Sequence, residues 1–257
     1  MAEINEAQGE RRVALVTGAS RGIGRAMAMA LAKDGCHVIA LARTQGALEE
    51  FDDSLRALNP GAERATLVPL DLVDGAAIDG LGEALYRRFG RLDVLVGAAG
   101  ILGGLTPLSH AEPKRWDNVL AINLTANWRL IRALDPLLRQ SAAGRAVFFT
   151  SGTNQAVPRA YWGPYAVSKA GLNALAGVYA AETANISAVR VTLINPGPIA
   201  TRMRAAAMPG EDPTTLPTPE TLAESVLPFC RPDWTRTGLV YDFPSRSVQT
   251  LQAAQPI

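Results

Sequence analysis

The sequence predicts a doubly wound α/β fold, with a seven-stranded parallel sheet in the order 3-2-1-4-5-6-7 and helices on both of its faces. Strand-like and helix-like segments alternate along the whole chain, which favours parallel strands joined by helical crossovers. The strand segments are continuous apolar runs, as expected where helices cover both faces of a sheet. A glycine-rich turn follows the first strand and opens the first helix, an arrangement typical of this fold class.

The predicted strands are short apolar runs over residues 13–16, 37–42, 65–70, 94–96, 146–150, 189–194 and 238–241. Helical periodicity between them predicts helices over residues 23–34, 45–58, 74–89, 114–140 and 162–184. Gly35 is suited to end the first helix, and Asp74 is suited to begin the third. Because no linker or internal repeat interrupts the pattern, we expect one domain over residues 11–257, after a flexible lead-in of residues 1–10.

Composition narrows the function classes. The chain has 257 residues, of which 48% are hydrophobic, enough for one large domain with a buried core. A net charge of +1 provides no electrostatic basis for binding nucleic acid or an anionic membrane. No apolar stretch of about 20 residues predicts a membrane span, and the acidic first residues do not resemble a signal peptide. The two cysteines suit a reduced, cytoplasmic protein. No cluster of histidine, cysteine and aspartate has the spacing of metal ligands.

The glycine-rich turn, residues 17–24, reads Thr-Gly-Ala-Ser-Arg-Gly-Ile-Gly. Glycine allows a tight turn and lets backbone N–H groups approach an anion, and the helix N-terminus adds a partial positive charge. Its place between a first strand and a helix predicts a phosphate-binding loop; an ordinary loop that contains three glycines is the alternative. The candidate cofactor-binding residues of this loop are Gly18, Ser20, Arg21, Gly22, Ile23 and Gly24.

The residues after the second strand favour NADP(H) over NAD(H) as cofactor. A fold that binds NAD usually places Asp or Glu at the end of this strand, to bind the ribose hydroxyls. Here the position is Ala42. Arg43 follows it, and together with Arg21 it offers two guanidinium groups to a 2′-phosphate. Two ordinary surface arginines in an arginine-rich chain are the alternative, with which NAD(H) is compatible.

Tyr165 and Lys169 are spaced so that a helix projects both from one face. A nearby ammonium stabilises phenolate and lowers the pKa of a tyrosine, so that Tyr165 can move a proton to or from a substrate oxygen. Ser151, at the end of the fifth predicted strand, is placed to hold that oxygen, with Thr153 as the alternative. Taken singly, the Tyr-Lys pair also fits a solvated helix face, and the serine fits a turn.

Together these motifs resemble the classical short-chain dehydrogenase/reductase family, over about residues 11–242. In that family the T-G-x-x-x-G-x-G loop wraps the dinucleotide pyrophosphate, Y-x-x-x-K is the catalytic pair, and the lysine also binds the nicotinamide ribose. The resemblance adds Asn123 to the catalytic set, as the residue that bends its helix and holds a water that relays protons to the lysine. It adds further cofactor-binding residues: Asp71 and Leu72 by the adenine, Ala99 and Gly100 by the adenosine ribose, and Pro196, Gly197, Ile199 and Thr201 around the nicotinamide amide.

The chain departs from the family at residues 97–100, where Asn-Asn-Ala-Gly is replaced by Gly-Ala-Ala-Gly. The missing asparagines remove side-chain hydrogen bonds, so we expect reduced local rigidity. Within the family, residues 102–105, 161–165 and 203–205 resemble the bacterial YciK-like branch. The resemblance implies a Rossmann-type domain that transfers a hydride between NADP(H) and a small-molecule carbonyl/alcohol pair.

The substrate side of the site is less specific in the sequence. A partly apolar pocket is predicted from the candidates Leu102, Pro158, Tyr161, Trp162 and Met203. Three arginines, Arg159, Arg202 and Arg204, suit either an acidic substrate or a solvated surface. The proline-rich residues 196–219 follow the sixth strand and predict a substrate loop, either a mobile lid or a stiff connector.

Two further expectations concern assembly and a competing function. The small residues Gly171, Ala174 and Gly177 permit close helix packing, and with the habit of the family they predict a homodimer or homotetramer. A non-enzymatic NADP(H)-binding sensor or scaffold is the competing function class, because such proteins keep the glycine loop while losing catalytic side chains. The presence of all four catalytic side chains favours the enzyme.

Overall fold

The computed structural model describes residues 11–58, 64–152 and 159–251, and it is built around an eight-stranded sheet in the order β3-β2-β1-β4-β5-β6-β7-β8. The strands are β1 (Val13–Thr17), β2 (His37–Ala42), β3 (Thr66–Pro69), β4 (Val94–Gly97), β5 (Arg145–Phe149), β6 (Arg190–Asn195), β7 (Leu239–Asp242) and β8 (Ser247–Thr250). The helices are α1 (Gly22–Lys33), α2 (Gln45–Leu58), α3 (Gly75–Phe89), α4 (Pro113–Leu120), α5 (Ala126–Gln140), α6 (Gly163–Thr183), α7 (Arg202–Ala207) and α8 (Pro219–Val226).

The predicted order of the first seven strands is confirmed, and all of them run parallel. The eighth strand corrects the predicted strand count. It pairs antiparallel with β7, from Asp242 opposite Ser247 to Leu239 opposite Thr250. Its sequence, Ser-Val-Gln-Thr, is a mostly polar edge strand, and therefore it lacks the apolar run by which the buried strands were recognised.

Alternate residues of each strand supply two hydrophobic cores, one on each face of the sheet. On β1, Ala14 and Val16 pack into the core that contains α1, α2 and α8. Val13 and Leu15 pack into the opposite core, with α3, α5 and α6. The sheet is therefore covered on both faces, as its apolar strands predicted. None of the helices in the described ranges has the length and hydrophobicity that crossing a lipid bilayer requires.

The predicted helix over residues 114–140 is interrupted by a π-helical turn, Ala121–Thr125, between α4 and α5. Asn123 lies in this turn and is completely buried. Asn127, one turn further on, donates from Nδ2 to the Asn123 carbonyl oxygen at 2.9 Å. Such π turns widen a helix locally and are frequent at functional sites. The irregularity that the resemblance implied at Asn123 is thus a π turn.

The strand order reverses direction between β1 and β4, and the loops that leave their carboxyl ends lie side by side. A crevice at such a switch point is the usual ligand site of open α/β sheets. The carboxyl ends of β1, β4, β5 and β6 carry most of the predicted site residues. The fold therefore collects at one edge the motifs that the sequence spreads over some 180 positions, from residue 18 to residue 201.

Two glycines of α3 provide a matched test of the packing between α3 and α5. A Cβ atom at Gly82 would lie 2.3 Å from the Ala133 carbonyl oxygen, whereas one at Gly80 would have no neighbour within 4 Å. We expect Gly82→Ala to lower the free energy of unfolding by about 1–3 kcal/mol, because the helices must separate. Gly80→Ala should raise it by about 0.5–1 kcal/mol, because alanine favours the helix. Urea unfolding of both variants measures the difference; equal values would contradict the packing.

Candidate active site

The glycine-rich loop is a tight turn with little room for side chains. Gly18 and Gly22 have φ angles of +69° and +55°, which L side chains rarely adopt. A Cβ atom at Gly24 would lie 2.3 Å from the Gly18 carbonyl oxygen, so only glycine lets α1 start this close to the loop. The N-terminus of α1 faces the same edge of the sheet, where its partial positive charge favours a phosphate.

The Thr17 hydroxyl braces the segment in which the chain departs from the family. It accepts hydrogen bonds from the N–H groups of Ala98 and Ala99, both at 3.1 Å. A Cβ atom at Gly97 would lie 2.5 Å from Asn127 Oδ1 and 2.5 Å from the Phe148 ring. A larger residue has no room at 97 in this packing, and Thr17 provides a side-chain brace from the neighbouring strand.

The residues predicted to choose the cofactor lie at the ends of β2 and β3. Ala42 is buried, while Arg21 and Arg43 are exposed. The Asp71 carboxylate accepts a hydrogen bond from the Val73 N–H at 3.2 Å, within its own turn. Asp74 begins α3 as predicted, since its carboxylate accepts from the Ala77 N–H at 3.0 Å.

Lys169 is a buried ammonium group at the carboxyl end of β5. Its Nζ donates to the Phe149 carbonyl oxygen at 2.7 Å, and burial lowers its pKa to about 8. A Cβ atom at Gly100 would lie 3.6 Å from this Nζ and 3.3 Å from Asn123 Oδ1. Three predicted site residues on three different elements therefore meet at one point, and glycine at 100 leaves space beside the ammonium.

Tyr165 faces Ser151 across the cleft, and the two side chains are hydrogen-bonded. Burial raises the pKa of Tyr165 above its usual value, and the Ser151 hydrogen bond lowers it in part. Lys169 is not among the causes of this shift, so the predicted lowering of the Tyr165 pKa by the ammonium together with a cationic nicotinamide stays a prediction. The Lys169 Nζ lies 5.8 Å from the centre of the Tyr165 ring, and it donates to Phe149 instead of to the phenol.

Asn123 positions two other parts of the site through its side chain. Oδ1 accepts from the Ile101 N–H at 2.8 Å, and Nδ2 donates to the Ile101 carbonyl oxygen at 2.9 Å. Nδ2 also donates to the Ser168 hydroxyl at 3.0 Å, in the helix that carries Tyr165 and Lys169. The amide thus links the segment that follows β4 to α6. The water-holding role that the resemblance implied for Asn123 stays a prediction.

The segment after β6 lies against the glycine loop. A Cβ atom at Gly22 would contact the Thr201 methyl group at 3.6 Å, and the Thr201 hydroxyl caps α7 by accepting from the Arg204 N–H. Gly197 has a φ of +65°, and its missing Cβ leaves space for the Pro244 ring, which would otherwise lie at 2.4 Å. Ile199 is buried beside it.

A cleft of about 450 Å³ connects these segments. Ile23 of the glycine loop lines it together with Ser151, Tyr165 and the backbone of residues 196–199. Of the predicted substrate residues, Leu102, Trp162 and Met203 also line the cleft. The predicted loop over residues 196–219 contributes α7 to its wall, and whether that loop moves stays a prediction.

The prediction that Tyr161 lines the substrate pocket is corrected, since it is not among the described residues that line the cleft. Its backbone is left-handed, with a φ of +73°, and its carbonyl oxygen accepts from the Thr106 N–H at 3.1 Å. This conformation leaves its side chain 58% exposed. Pro158 and the alternative residue Thr153 lie outside the described residues.

The partners of two site residues, Asn195 and the predicted candidate Arg204, had no clear signal in the sequence. The Asn195 amide accepts from the Gly197 N–H at 3.3 Å and donates to the Asp242 carboxylate at 2.5 Å. Arg204 lines the cleft and forms a two-pronged ion pair with Glu211, with both N–O distances at 2.5 Å. The position of Asn195 before a Pro-Gly turn was the one sequence feature that indicated a place in the site. Its partner Asp242 is distant in sequence, and Glu211, the partner of Arg204, lies in a loop.

The arrangement fits a nicotinamide dinucleotide. The loop of left-handed glycines and the start of α1 suit a pyrophosphate, and the space above Gly100 lies beside a lysine ammonium. The cleft that Ile23 of this loop lines also contains a tyrosine hydrogen-bonded to a serine. The chemistry of these groups suits proton transfer to an oxygen next to the cofactor.

Comparison with protein families agrees with this geometry. The family model of the short chain dehydrogenases matches residues 12–212. The chain belongs to the short-chain dehydrogenase family. It is 36% identical over 232 residues to the uncharacterised oxidoreductase YciK of Escherichia coli, covering 90% of this chain and 91% of YciK, which supports the YciK-like branch. It is also 32% identical to an uncharacterised NAD-dependent oxidoreductase of Mycobacterium tuberculosis, covering 75% and 73% of the two chains.

Solved structures show the same fold throughout. A short-chain dehydrogenase of Pseudomonas syringae superposes with a TM-score of 0.86 at 37% identity, covering 90% of this chain and 94% of the other. One from Shigella flexneri, in complex with NADP, superposes with a TM-score of 0.82 at 35% identity, covering 90% and 96%. The protein is therefore an oxidoreductase of this family, with a single α/β domain.

Proposed function

We propose that this protein transfers a hydride between NADP(H) and a carbonyl/alcohol pair, with Tyr165, Lys169, Ser151 and Asn123 as its functional residues. The observation that carries the proposal is the hydrogen bond between Tyr165 and Ser151, in the cleft that also contains Ile23 of the glycine loop. A phenol and a hydroxyl held together at one point provide two hydrogen-bonding groups to a single substrate oxygen.

In the direction of reduction, the Ser151 hydroxyl orients the substrate carbonyl oxygen and Tyr165 donates a proton to it. A nicotinamide held beside Lys169 and the segment after β6 would supply the hydride for the carbonyl carbon. Because burial raises the pKa of Tyr165, the phenol keeps its proton at neutral pH and can serve as the proton source, while the raised pKa also makes it a weaker acid. In the direction of oxidation the same phenol must first lose its proton, which is the harder step for a buried group.

Lys169 and Asn123 support this centre. Lys169 is held at one N–H by the Phe149 carbonyl oxygen, which leaves its other N–H groups for the nicotinamide ribose. The Lys169 ammonium lies 5.8 Å from the centre of the Tyr165 ring, and the pKa of Tyr165 is set first by burial. Asn123 positions α6 relative to the β4 segment through Ser168 and Ile101.

The proposed preference for NADP(H) rests on charge. The end of β2 offers no carboxylate to ribose hydroxyls, and Arg21 and Arg43 are both exposed beside the glycine loop. A similar structure from Shigella flexneri is a complex with NADP, whereas the Mycobacterium tuberculosis relative is described as NAD-dependent. The guanidinium groups of this chain favour the first of these two cofactors.

We also propose a homodimer or homotetramer, formed through the outer face of α6. Val167 and Val178 are exposed on this helix, 46% and 57% respectively, and Ala174 lies exposed between them. Gly171 serves a different purpose from the one predicted, because a Cβ there would lie 2.8 Å from the Leu124 side chain of the same chain. It therefore permits packing of α6 on the π turn.

Replacement of Tyr165 tests the proposed reaction. We expect Tyr165→Phe to reduce kcat for NADPH-dependent carbonyl reduction by at least about a hundredfold, because it removes the proton donor. The Kd for NADPH should change little. Stopped-flow or steady-state NADPH oxidation with a panel of aldehydes and ketones measures the first quantity, and NADPH fluorescence titration measures the second.

Tyr161→Phe is the matched control, since it removes an exposed phenol four residues earlier that does not line the described cleft. It should retain wild-type turnover. Undiminished turnover in Tyr165→Phe would refute the assignment, and tight NADPH binding without turnover of any carbonyl compound would favour a sensor instead.

Replacement of Arg43 tests the cofactor preference. Loss of a charge-assisted hydrogen bond to the 2′-phosphate should raise the KM for NADPH by about tenfold or more in Arg43→Ala, and leave the KM for NADH nearly unchanged. Arg56→Ala, an exposed arginine near the other end of α2, is the control and should change neither value. Equal effects on both cofactors, or a wild type that prefers NADH, would contradict the preference.

A further inference from the structure

The substrate cleft has an uneven distribution of charge. Among the described residues that line it, two are arginines, Arg159 and Arg204, and none is Asp or Glu. Arg204 is neutralised by the ion pair with Glu211. Within the described ranges, no carboxylate lies at ion-pair distance from Arg159. The cleft therefore contains one positive charge that the described part of the protein does not balance.

Arg159 is an exposed residue that contacts an aromatic side chain of the cleft. Its guanidinium carbon lies 5.8 Å from the centre of the Trp162 indole ring, a cation–π distance. Trp162 is only 9% exposed, and its ring lies 5.8 Å from that of Tyr165, in edge-on geometry. Trp162 thus contacts both Arg159 and Tyr165, and all three residues line the same cleft.

The charge of Arg159 acts on the Glu211 carboxyl. The pKa of the Glu211 carboxyl is lowered, first by its hydrogen bond to Arg204 and also by the charges of Arg204 and Arg159. Arg159 thus lies close enough to act on the Arg204–Glu211 pair, but Glu211 is engaged by Arg204. Arg159, Arg204 and Glu211 then sum to a net charge of +1 at the cleft.

Much of the lining of the cleft is apolar. Leu102, Met203 and Ala207 line it together with the Trp162 ring. Such a lining suits a short hydrocarbon spacer, with polar groups of the substrate only at its ends. A neutral ketone would use the Tyr165 end and leave the guanidinium without a partner, whereas an anion at the far end would pair with it.

We propose that the substrate is an anionic carbonyl compound, whose carboxylate or phosphate binds Arg159 while its carbonyl oxygen lies between Ser151 and Tyr165. The proposal rests on the function proposed above and specifies its substrate class. Guanidinium binds both kinds of oxyanion, with two parallel N–H donors. Binding of the anion orients the carbonyl carbon at a fixed distance from the phenol, and so selects chain length as well as charge.

Binding to the protein loaded with NADP⁺ tests the proposal without requiring turnover, because an oxidised cofactor cannot reduce a ketone. The probes are acetoacetate, levulinate and their next two homologues, each paired with its methyl ester, and acetonylphosphonate for the phosphate arm. Calorimetry gives each Kd. We expect at least one acid to bind about tenfold or more tightly than its ester in the wild type. Comparison of the Kd values of the carboxylates with that of acetonylphosphonate shows which oxyanion is preferred.

Three variants separate charge recognition from structural damage. Arg159→Gln should abolish the preference for the acid and leave the Kd of the ester unchanged, and Arg159→Lys should retain part of the preference. Arg202→Gln is the matched control, because it removes the same charge from an exposed residue that does not line the described cleft. It should behave as the wild type.

The proposal is wrong if the wild type binds acids and esters equally or binds neither, or if Arg159→Gln weakens both by the same factor. The last result would mean that Arg159 only supports Trp162. Failure of the proposed function looks different: in that case NADPH is not oxidised by any carbonyl compound, neutral or anionic, although the acids still bind through Arg159.

Discussion

The structure depends on one costly feature, an ammonium group buried at the carboxyl edge of a parallel sheet. Lys169 is held there by a single described hydrogen bond, to the Phe149 carbonyl oxygen, and burial lowers its pKa to about 8. An unfolded chain keeps the lysine proton up to a pH of about 10.5. Burial of the charged lysine therefore lowers the free energy of unfolding at neutral pH, and this loss becomes smaller as the pH rises from about 8 towards 10.5. Buried titratable groups with strongly shifted pKa values cluster at functional sites.

The elements around Lys169 are arranged to make this burial tolerable. The π turn places the Asn123 amide where it binds both the Ile101 backbone and Ser168, so that hydrogen bonds join the segment after β4, the π turn and α6. Gly100 leaves free space beside the ammonium. The glycine loop and Thr201 close the far side of the same region. The site is thus held together by backbone contacts and by the hydrogen bonds of a side-chain amide.

Much of this could be predicted from the sequence, because the signals were local. Apolar strands, helix periodicity and the order of the motifs predicted seven strands in their correct order, and β2 and α2 begin and end where predicted. Polar β8 carries no such pattern. The direction of the Tyr165 pKa shift could not be predicted either, since it depends on how deeply the phenol is buried and on which acceptor Lys169 selects. The sequence offers Arg159, Arg202 and Arg204 as equal candidates for an acidic substrate, but only folding shows that the second lies outside the described cleft and the third is paired.

The central claim is that Lys169 is a buried ammonium with a depressed pKa, and the scarcity of lysine in this chain makes it directly measurable. The sequence contains three lysines, Lys33, Lys114 and Lys169, and the first two are exposed. Incorporation of lysine labelled with ¹³C at Cε gives three NMR signals, of which Lys169→Met identifies one. The account predicts that this signal titrates near pH 8. A titration near the ordinary lysine value of about 10.5 would contradict it.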